Sequence, residues 1–357
     1  MKKEKKKGNK KRTLIIIICI VLVFVVLALN THNFVFGINP FDRSTVVITT
    51  EPGEVIEYGT TFVRYNKISS GFSKKGTIER LEYTTDVYED GVTYSKYCNV
   101  YLPYGYDPNR SEPYNVVYFQ HGHTMDPEIF ATYPMSRYMN NLFAADEIEP
   151  CILVFTTYYM DPAGDSKERL KSGNVPAGDG NWDGLPANFW MEVTEDIMPL
   201  VESRYNTYAK NDVSPEGLMA TREHRAFTGY SRGGVCTWYM FHHALEYFKW
   251  FSPMSCHCMA EQKLSHNVDH EAAFQYLEET IDAHPDLDFF IYVQSGGPKD
   301  AETLREQMKY FVAQTDTFSY GSDPTVNNLY YSVSDFIHSD RYVPWYYYNS
   351  LPLFFGE

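Results

Sequence analysis

From about residue 76 onward, short apolar runs alternate with helical stretches, and this alternation constrains the fold more than any other feature. Several of the runs are almost continuously apolar, as expected of parallel strands that are buried on both faces of a sheet. The predicted strands are residues 99–102, 115–119, 151–156, 224–228, 249–252, 289–293 and 329–333. The pattern predicts one α/β domain, with a mostly parallel central sheet and helices on both of its faces.

The clearest predicted helix spans residues 189–205, because apolar residues recur there at three- and four-residue steps. Further helices are predicted at 233–247, 271–283 and 301–312. Residues 158–187 lack such periodicity and are rich in Gly, Pro, Asp and Asn, which predicts a long loop. A loop of this length is often a lid or a wall of a binding site, and plain surface irregularity is the alternative.

The first thirty residues are typical of an export signal. Eight basic residues lie within residues 1–12, and an unbroken apolar run of sixteen residues follows, from Leu14 to Leu29. A basic segment ahead of an apolar one stays in the cytoplasm, so everything after Asn30 is expected outside it. Because no clear small-x-small cleavage site follows, we expect an uncleaved membrane anchor, and secretion after cleavage is the alternative. A buried core helix is disfavoured because the run has no polar face.

The exported part of the chain is strongly acidic. Without residues 1–12, 23 basic and 45 acidic residues remain, a net charge of about −22. Such a charge repels phosphate backbones and anionic headgroups. Nucleic acid is therefore not expected as a partner, and membrane contact is expected through the N-terminal segment only. The sequence carries no signal for an oligomeric state.

The predicted organisation is a basic tail with its signal segment at 1–30, a stalk leading into an edge strand at 31–75, and one large α/β domain at 76–357. Six cysteines do not form a disulfide framework in so long a chain, since Cys19 lies in the apolar segment and leaves five. The triplet Cys256-His257-Cys258 has no second ligand cluster with zinc spacing, so no metal site is predicted.

The strongest local signal is a G-x-S-x-G motif between a predicted strand and a predicted helix, Gly229-Tyr230-Ser231-Arg232-Gly233. This context is typical of a nucleophile elbow, in which the serine occupies a strained turn. Gly229 and Gly233 are expected to be glycine because side chains there would collide across the bend. Ser231 is the candidate nucleophile, and the helix after it directs its N-terminal dipole at a developing oxyanion.

A serine hydroxyl needs a base, and the base needs an acid that fixes its tautomer. With this elbow, the order along the chain is Ser, acid, His. Of the eleven histidines, His338 alone follows the last predicted strand, so it is the candidate base. The candidate acid is Asp300, at the end of a glycine-rich turn after strand 289–293. The alternatives are that Asp300 only caps the helix beginning at Ala301, and that Asp335 is the acid.

An oxyanion hole needs two backbone donors, one from the residue after the nucleophile and one from the turn after an earlier strand. The first is Arg232. The second is the amide of His123 or Thr124, because the apolar strand 116–119 runs directly into this turn. The His123 ring is expected either to line the pocket or to lie in solvent. His121 is expected at the surface or in a supporting position.

Several segments together resemble the esterase-D-like α/β-hydrolases, specifically carbohydrate esterase family 1, which includes feruloyl and acetylxylan esterases. The resemblance covers residues 76–355, and its marks are residues 99–106, 118–122, 200–205, the elbow and 251–255. It implies the α/β-hydrolase fold and the triad Ser231, Asp300 and His338. The chain departs from its relatives in having Cys256 where they commonly carry glycine, and Phe336-Ile337-His338 where they carry a Gly-Gly-His-type turn.

The resemblance implies a serine esterase that acts on acyl or feruloyl esters of plant cell-wall polysaccharide through an acyl-enzyme. No metal or organic cofactor is needed for this chemistry. Two alternatives remain open at the level of sequence. One is an acyltransferase, in which an acceptor hydroxyl outcompetes water. The other is a surface glycan-binding protein that has lost turnover.

Overall fold

The described part of the chain contains ten strands. A computed structural model describes residues 46–49, 55–58, 75–89, 91–123, 125–128, 135–144, 148–160, 184–260, 268–296, 298–334 and 337–355. Its strands are β1 (Val46–Thr49), β2 (Val55–Tyr58), β3 (Thr77–Thr85), β4 (Tyr94–Leu102), β5 (Val116–Gln120), β6 (Ile152–Thr156), β7 (Arg225–Tyr230), β8 (Trp250–Met254), β9 (Phe290–Ser295) and β10 (Leu329–Val333).

Within these residues, eight strands form one sheet in the order β10-β9-β8-β7-β5-β6-β4-β3, and β1 pairs with β2 in a separate antiparallel pair. Only β4 runs against its neighbours in the large sheet, pairing antiparallel with β3 and β6. The other pairings are parallel. The α/β-hydrolase fold and the mostly parallel sheet are confirmed. The two edge strands of the large sheet are β10 and β3, and β3 begins at Thr77, just beyond the 31–75 segment in which an edge strand was predicted.

The apolar runs are buried on both faces of the sheet. On β5, Val116 and Tyr118 face one hydrophobic core, and Val117 and Phe119 face the other. Successive side chains of a strand point to opposite faces, so a run that is apolar at every position fits only between two layers. This arrangement explains why all seven strands predicted from apolar runs are present, with ends within a few residues of those expected.

The longer helices pack on these two faces. In chain order they are α1 (Met135–Ala144), α2 (Gly184–Glu192), α3 (Met198–Arg204), α4 (Pro215–Ala220), α5 (Arg232–Ala244), α6 (His270–Ala283), α7 (Pro298–Val312) and α8 (Val343–Ser350). Residues of α1 and α8 lie in one core, and residues of α2, α3, α5, α6 and α7 lie in the other. Helices on both faces were predicted and are confirmed.

Two predicted boundaries were wrong. The helix expected from residue 189 begins at Gly184, so the loop expected at 158–187 is shorter, and residues 161–183 of it lie outside the described residues. The helix expected from Ala301 begins at Pro298, which places Asp300 inside its first turn. Proline is favoured in the first turn of a helix because its missing N–H has no partner there in any case.

A π-helical turn, Val193–Ile197, joins α2 to α3 beside a buried ion pair. The Lys96 ammonium lies 2.6 Å from the Glu192 carboxylate, and both side chains are fully buried. Tyr83 and Tyr88 donate hydrogen bonds to the same carboxylate. The pair therefore ties β4 to the end of α2.

The segment predicted to be a membrane anchor, Leu14 to Leu29, lies outside the described residues. Among the residues that are described, no helix is long and apolar enough to span a bilayer.

Candidate active site

Ser231 lies alone between the end of β7 and the start of α5. Its backbone has φ 56° and ψ −116°, which is a strained conformation for a residue with a side chain. Its N–H donates a hydrogen bond of 2.8 Å to the Met254 carbonyl at the end of β8. Its own carbonyl accepts hydrogen bonds from Gly234 and Val235 in the first turn of α5. The turn is thus held from the neighbouring strand and from the helix.

The two glycines of the motif lie where the backbone crowds most. A Cβ at Gly229 would collide with the Gly233 carbonyl, and a Cβ at Gly233 would collide with the Gln120 carbonyl at the end of β5. Both obstacles are backbone atoms, which cannot rotate away. The close approach of α5 to β5 therefore depends on the absence of a side chain at Gly233.

The segment that follows β10 brings His338 to Ser231. His338 Nε2 lies 2.9 Å from Ser231 Oγ, within the range of a hydrogen bond. The imidazole also lies against the Tyr230 ring, with 5.0 Å between the ring centroids. The start of this segment is fixed by Ser334, whose N–H and hydroxyl both donate to the Ser295 carbonyl at the end of β9. At this separation the imidazole can accept the serine proton when the oxygen attacks.

The candidate acid is described only in its backbone. Asp300 lies in the first turn of α7, five residues after β9 ends at Ser295. Since β7, β9 and β10 are parallel members of one sheet, the segments that follow them all leave from the same edge. Asp300, Ser231 and His338 therefore lie on segments at one edge. The side chain of Asp300 and the rival residue Asp335 are outside the described residues.

The turn after β5 lies directly against Ser231, the candidate nucleophile. A Cβ at Gly122 would be 3.2 Å from Ser231 Cβ and 3.2 Å from the Tyr230 carbonyl oxygen. The next residue, His123, has its pKa lowered by partial burial and by the positive charge of Arg232. His123 thus follows the residue that contacts Ser231, and its ring lies near enough to Arg232 to sense that positive charge. Thr124, the other expected donor, lies outside the described residues.

His121, which was predicted to lie at the surface or in a supporting position, is not at the surface. It is completely buried, with its ring beside those of Tyr158 and Tyr159. Its Nδ1 lies 2.8 Å from the Gly122 carbonyl oxygen, and its Nε2 lies 2.7 Å from Thr157 Oγ1. The signal in the sequence was its place directly before Gly122, at the end of an apolar strand.

Other histidines have partners away from Ser231. His224 stacks on Tyr208 and lies 2.8 Å from the Asn115 side-chain oxygen. On α5, His242 Nδ1 lies 2.7 Å from Thr280 Oγ1 of α6. These contacts tie helices and strand ends together.

The cysteine triplet does not form a metal-binding cluster. Burial raises the pKa of the Cys258 thiol to about 12, and the Cys256 thiol donates to the His257 carbonyl at 3.1 Å. Across the described residues, no three His, Cys, Asp or Glu side chains come close enough together to hold a metal ion. The cysteines that are described, Cys98, Cys151, Cys236, Cys256 and Cys258, are free thiols.

Comparison with known proteins adds a family match and a curated relative. The Esterase family model matches residues 95–339. Endo-1,4-beta-xylanase Y of Acetivibrio thermocellus is 30% identical over 287 residues, which cover 79% of this chain and 23% of that protein. The chain thus spans less than a quarter of the length of this relative.

Solved structures give the same picture of the fold. A mutant of the feruloyl esterase module from Clostridium thermocellum, complexed with sinapinate, matches with a TM-score of 0.67 and 26% identity, covering 89% of this chain and 97% of that one. A CE1 ferulic acid esterase from Anaeromyces mucronatus, in complex with ferulic acid, matches with a TM-score of 0.57 and 16% identity, covering 82% and 96%. The second likeness is in the fold alone.

Proposed function

We propose that this chain, which belongs to the Esterase family and is a carboxylic ester hydrolase, removes feruloyl or acetyl groups from plant cell-wall polysaccharide with Ser231 as its nucleophile. The observation that carries the proposal is the 2.9 Å separation of Ser231 Oγ and His338 Nε2, at a serine held in a strained turn between strand and helix. A serine with only a structural role would need neither a histidine nitrogen at this distance nor a strained backbone.

The proposed reaction has two halves. His338 takes the Ser231 proton as the oxygen attacks the ester carbonyl, and Asp300 orients the imidazole. The backbone amides of Arg232 and of His123 or Thr124 hold the resulting oxyanion. Collapse of this intermediate expels the alcohol, which takes the proton from His338 and leaves an acyl group on Ser231. Water, deprotonated by His338, then attacks the acyl-enzyme, and the bond between the acyl carbon and Ser231 Oγ breaks as His338 returns the proton to that oxygen, which releases the free acid.

The proposed feruloyl and acetyl groups are supported by proteins to which this chain is similar. The feruloyl esterase module matches almost the whole of this chain at 26% identity, and the curated relative is a xylanase. Arabinoxylan that carries both ferulate and acetate distinguishes the two acyl groups, because one incubation reports both released acids. Cleavage of small aryl esters with release of neither acid would contradict the polysaccharide substrate.

We also propose that residues 76–357 form the esterase domain and that it acts outside the cytoplasm. Residues 1–30 would export it and hold it at the membrane, because a basic segment precedes an unbroken apolar run. A polysaccharide substrate requires this location. Fractionation of the producing cells, with antibody detection, should find the full-length chain in the membrane fraction.

The first test compares the full-length chain with its Ser231→Ala variant on methyl ferulate and 4-nitrophenyl acetate. The variant should lose about 10⁶-fold in kcat, because the remaining members of a triad contribute little once the nucleophile is absent. Ser203→Ala is the matched control, since Ser203 is an exposed serine on α3 that bonds only to its own helix. Equal rates for the chain and its Ser231→Ala variant, or no turnover by either, would overturn the proposal and favour a binding protein.

A further inference from the structure

We propose that His121 is a positioning residue, which orients the peptide between Gly122 and His123 so that the His123 N–H faces the acyl oxygen above Ser231. The inference rests on the proposed function, and it assigns a task to a buried side chain that does not touch the substrate. It also selects the His123 amide as the second oxyanion donor.

The peptide concerned lies beside the nucleophile. Gly122 is close enough to Ser231 that an added Cβ would stand 3.2 Å from the serine Cβ. A carbonyl carbon under attack by Ser231 Oγ therefore has its oxygen within reach of this turn. An amide placed here can act as an oxyanion donor only if its N–H points toward the substrate.

The hydrogen bonds of the imidazole fix its tautomer. Nδ1 lies 2.8 Å from the Gly122 carbonyl oxygen, which can only accept, so Nδ1 carries the proton. Nε2 is then an acceptor, and the Thr157 hydroxyl donates to it at 2.7 Å. Thr157 Oγ1 in turn accepts the Tyr159 N–H at 3.2 Å. Every donor in this chain meets an acceptor, whereas a ring with the proton on Nε2 would place an unprotonated Nδ1 against the Gly122 carbonyl oxygen, which has no proton to donate.

Because the peptide group is planar, the hydrogen bond to the Gly122 carbonyl also determines the direction of the His123 N–H. In a trans peptide, the C=O and N–H groups point to opposite sides of the chain. The Gly122 carbonyl is drawn inward by the buried imidazole, and it also accepts the Met125 N–H at 3.4 Å. The N–H of the same peptide, which belongs to His123, is therefore directed away from the protein interior.

The imidazole is held firmly enough for this task. It is fully buried, and its centroid lies 5.2 Å from that of Tyr158 and 5.3 Å from that of Tyr159. On the other side, α5 packs so closely that a Cβ at Gly233 would stand 2.8 Å from the His121 carbonyl oxygen. A donor that is already oriented before the reaction stabilises the oxyanion without reorganisation, and one such donor contributes about 10²–10³-fold to kcat.

The test is a set of three substitutions that separate hydrogen bonding from packing. In His121→Asn, the side-chain amide nitrogen can take the place of Nδ1 and donate to the Gly122 carbonyl. In His121→Gln, the amide reaches instead to the place of Nε2. His121→Leu fills the space and provides no donor. We expect kcat for methyl ferulate to fall about 10²-fold in the Leu and Gln variants and by less than about 10-fold in the Asn variant, with KM almost unchanged.

A second measurement distinguishes positioning from a general structural role. An aryl boronic acid forms a tetrahedral adduct with a catalytic serine, so its affinity should weaken in parallel with kcat across the three variants. Thermal unfolding reports stability separately. Thr157→Val should lower kcat in the same direction, because the hydrogen bond that holds Nε2 in place is lost. If the Leu variant does not fold, comparison of the Asn and Gln variants still shows whether a donor at the place of Nδ1 is what turnover requires.

An Asn variant that retains more activity and boronic acid affinity than the Gln variant supports the inference. Equal kcat in all variants, or a Gln variant superior to the Asn variant, would overturn it while leaving the esterase intact. Absence of Ser231-dependent hydrolysis in the unsubstituted chain would instead overturn the proposed function itself.

Discussion

Ser231 adopts a backbone conformation that its neighbours must maintain. A residue with a side chain at φ 56° costs about 1–3 kcal/mol unless its surroundings hold it in place. Here the Ser231 N–H bonds to the end of β8, and its carbonyl accepts from two amides of α5. In this conformation the Ser231 hydroxyl lies 2.9 Å from His338 Nε2. The position of this candidate nucleophile therefore depends on close backbone packing that only glycine permits.

Gly233→Ala should therefore disturb both folding and turnover. Its methyl group would collide with the Gln120 backbone, so α5 must shift, and we expect a loss of about 1–3 kcal/mol in the free energy of unfolding. A displacement of about 1 Å at the nucleophile can lower kcat by about 10²-fold. Urea denaturation and ester hydrolysis measure the two effects.

Gly105→Ala is the matched control for this prediction. Gly105 has a positive φ of 74° but no atom within 4 Å of an added Cβ, and it follows β4, which ends at the opposite edge of the sheet. It should cost about 1 kcal/mol through its backbone conformation and leave kcat unchanged. A similar fall in kcat for both variants would contradict the role of packing at Gly233.

At the scale of elements, the strands that the sequence predicts well are those buried on both faces. Their runs are apolar at nearly every position, and a strand of five residues needs no other signal. The edge strand β3 was harder to find, because only Leu81 and Thr85 are buried in it. Helix α8 was missed for the opposite reason. Six of its eight residues are buried, so no amphipathic period marks it.

The site could be predicted to the extent that it follows strand ends. Ser231 and His338 could be singled out as candidates because each follows a recognisable strand, in an order that the elbow dictates. The role proposed for His121 could not be predicted in this way. It depends on the direction of the Gly122 carbonyl and on the imidazole that bonds to it, and the other nitrogen of that imidazole is held by Thr157, which is 36 residues away along the chain.

The buried pair of Lys96 and Glu192 permits a prediction about α2. Removing one partner leaves an uncompensated charge in the interior, so Lys96→Met should cost about 3–5 kcal/mol in the free energy of unfolding. Glu192→Leu should cost a similar amount, and the double substitution should cost clearly less than the sum. Urea denaturation of the four proteins measures this coupling.

The exposed pair of Arg110 and Glu149 provides the control. Its partners lie 3.0 Å apart with side chains 31% and 54% exposed, so Arg110→Met should cost no more than about 1 kcal/mol. Additive costs at Lys96 and Glu192, or equal costs at the two pairs, would show that burial does not strengthen the pairing.

For the whole molecule, the parallel sheet is what assembles the site. Gly122, Ser231 and His338 are far apart in the sequence, yet each follows the carboxyl end of a parallel strand, at β5, β7 and β10. The amino end of the antiparallel strand β4 reaches the same edge, where Lys96 contacts Glu192. Helix α2, which ends at Glu192, is thereby joined to the edge that carries Ser231.

Stability of the whole molecule should fall on mild acidification. Loss of water on the ring face that stacks against Trp190, together with the neighbouring His242, lowers the pKa of His243 to about 4, although the rest of the side chain is exposed. Burial also lowers the pKa of His123 and of His224. An unfolded histidine has a pKa of about 6.5, so the unfolded state binds more protons than the folded state below that pH. The free energy of unfolding should therefore decrease as the pH falls from about 6.5 toward about 4.

Urea denaturation at several pH values between about 4 and about 6.5 measures how steeply the free energy of unfolding changes with pH. The His243→Gln variant shows how much of that change is due to His243. This pH range does not overlap the range in which Asp212 and Asp323 titrate. Hydrogen bonds from Ser214 and Thr325 lower the pKa values of these two carboxyl groups, so their contribution to stability is lost only below about pH 3.8. His243→Gln should reduce the slope even though it also removes the stacking on Trp190, because that contact acts at every pH. A slope identical to that of the unsubstituted chain would mean that His243 titrates alike in the folded and unfolded states.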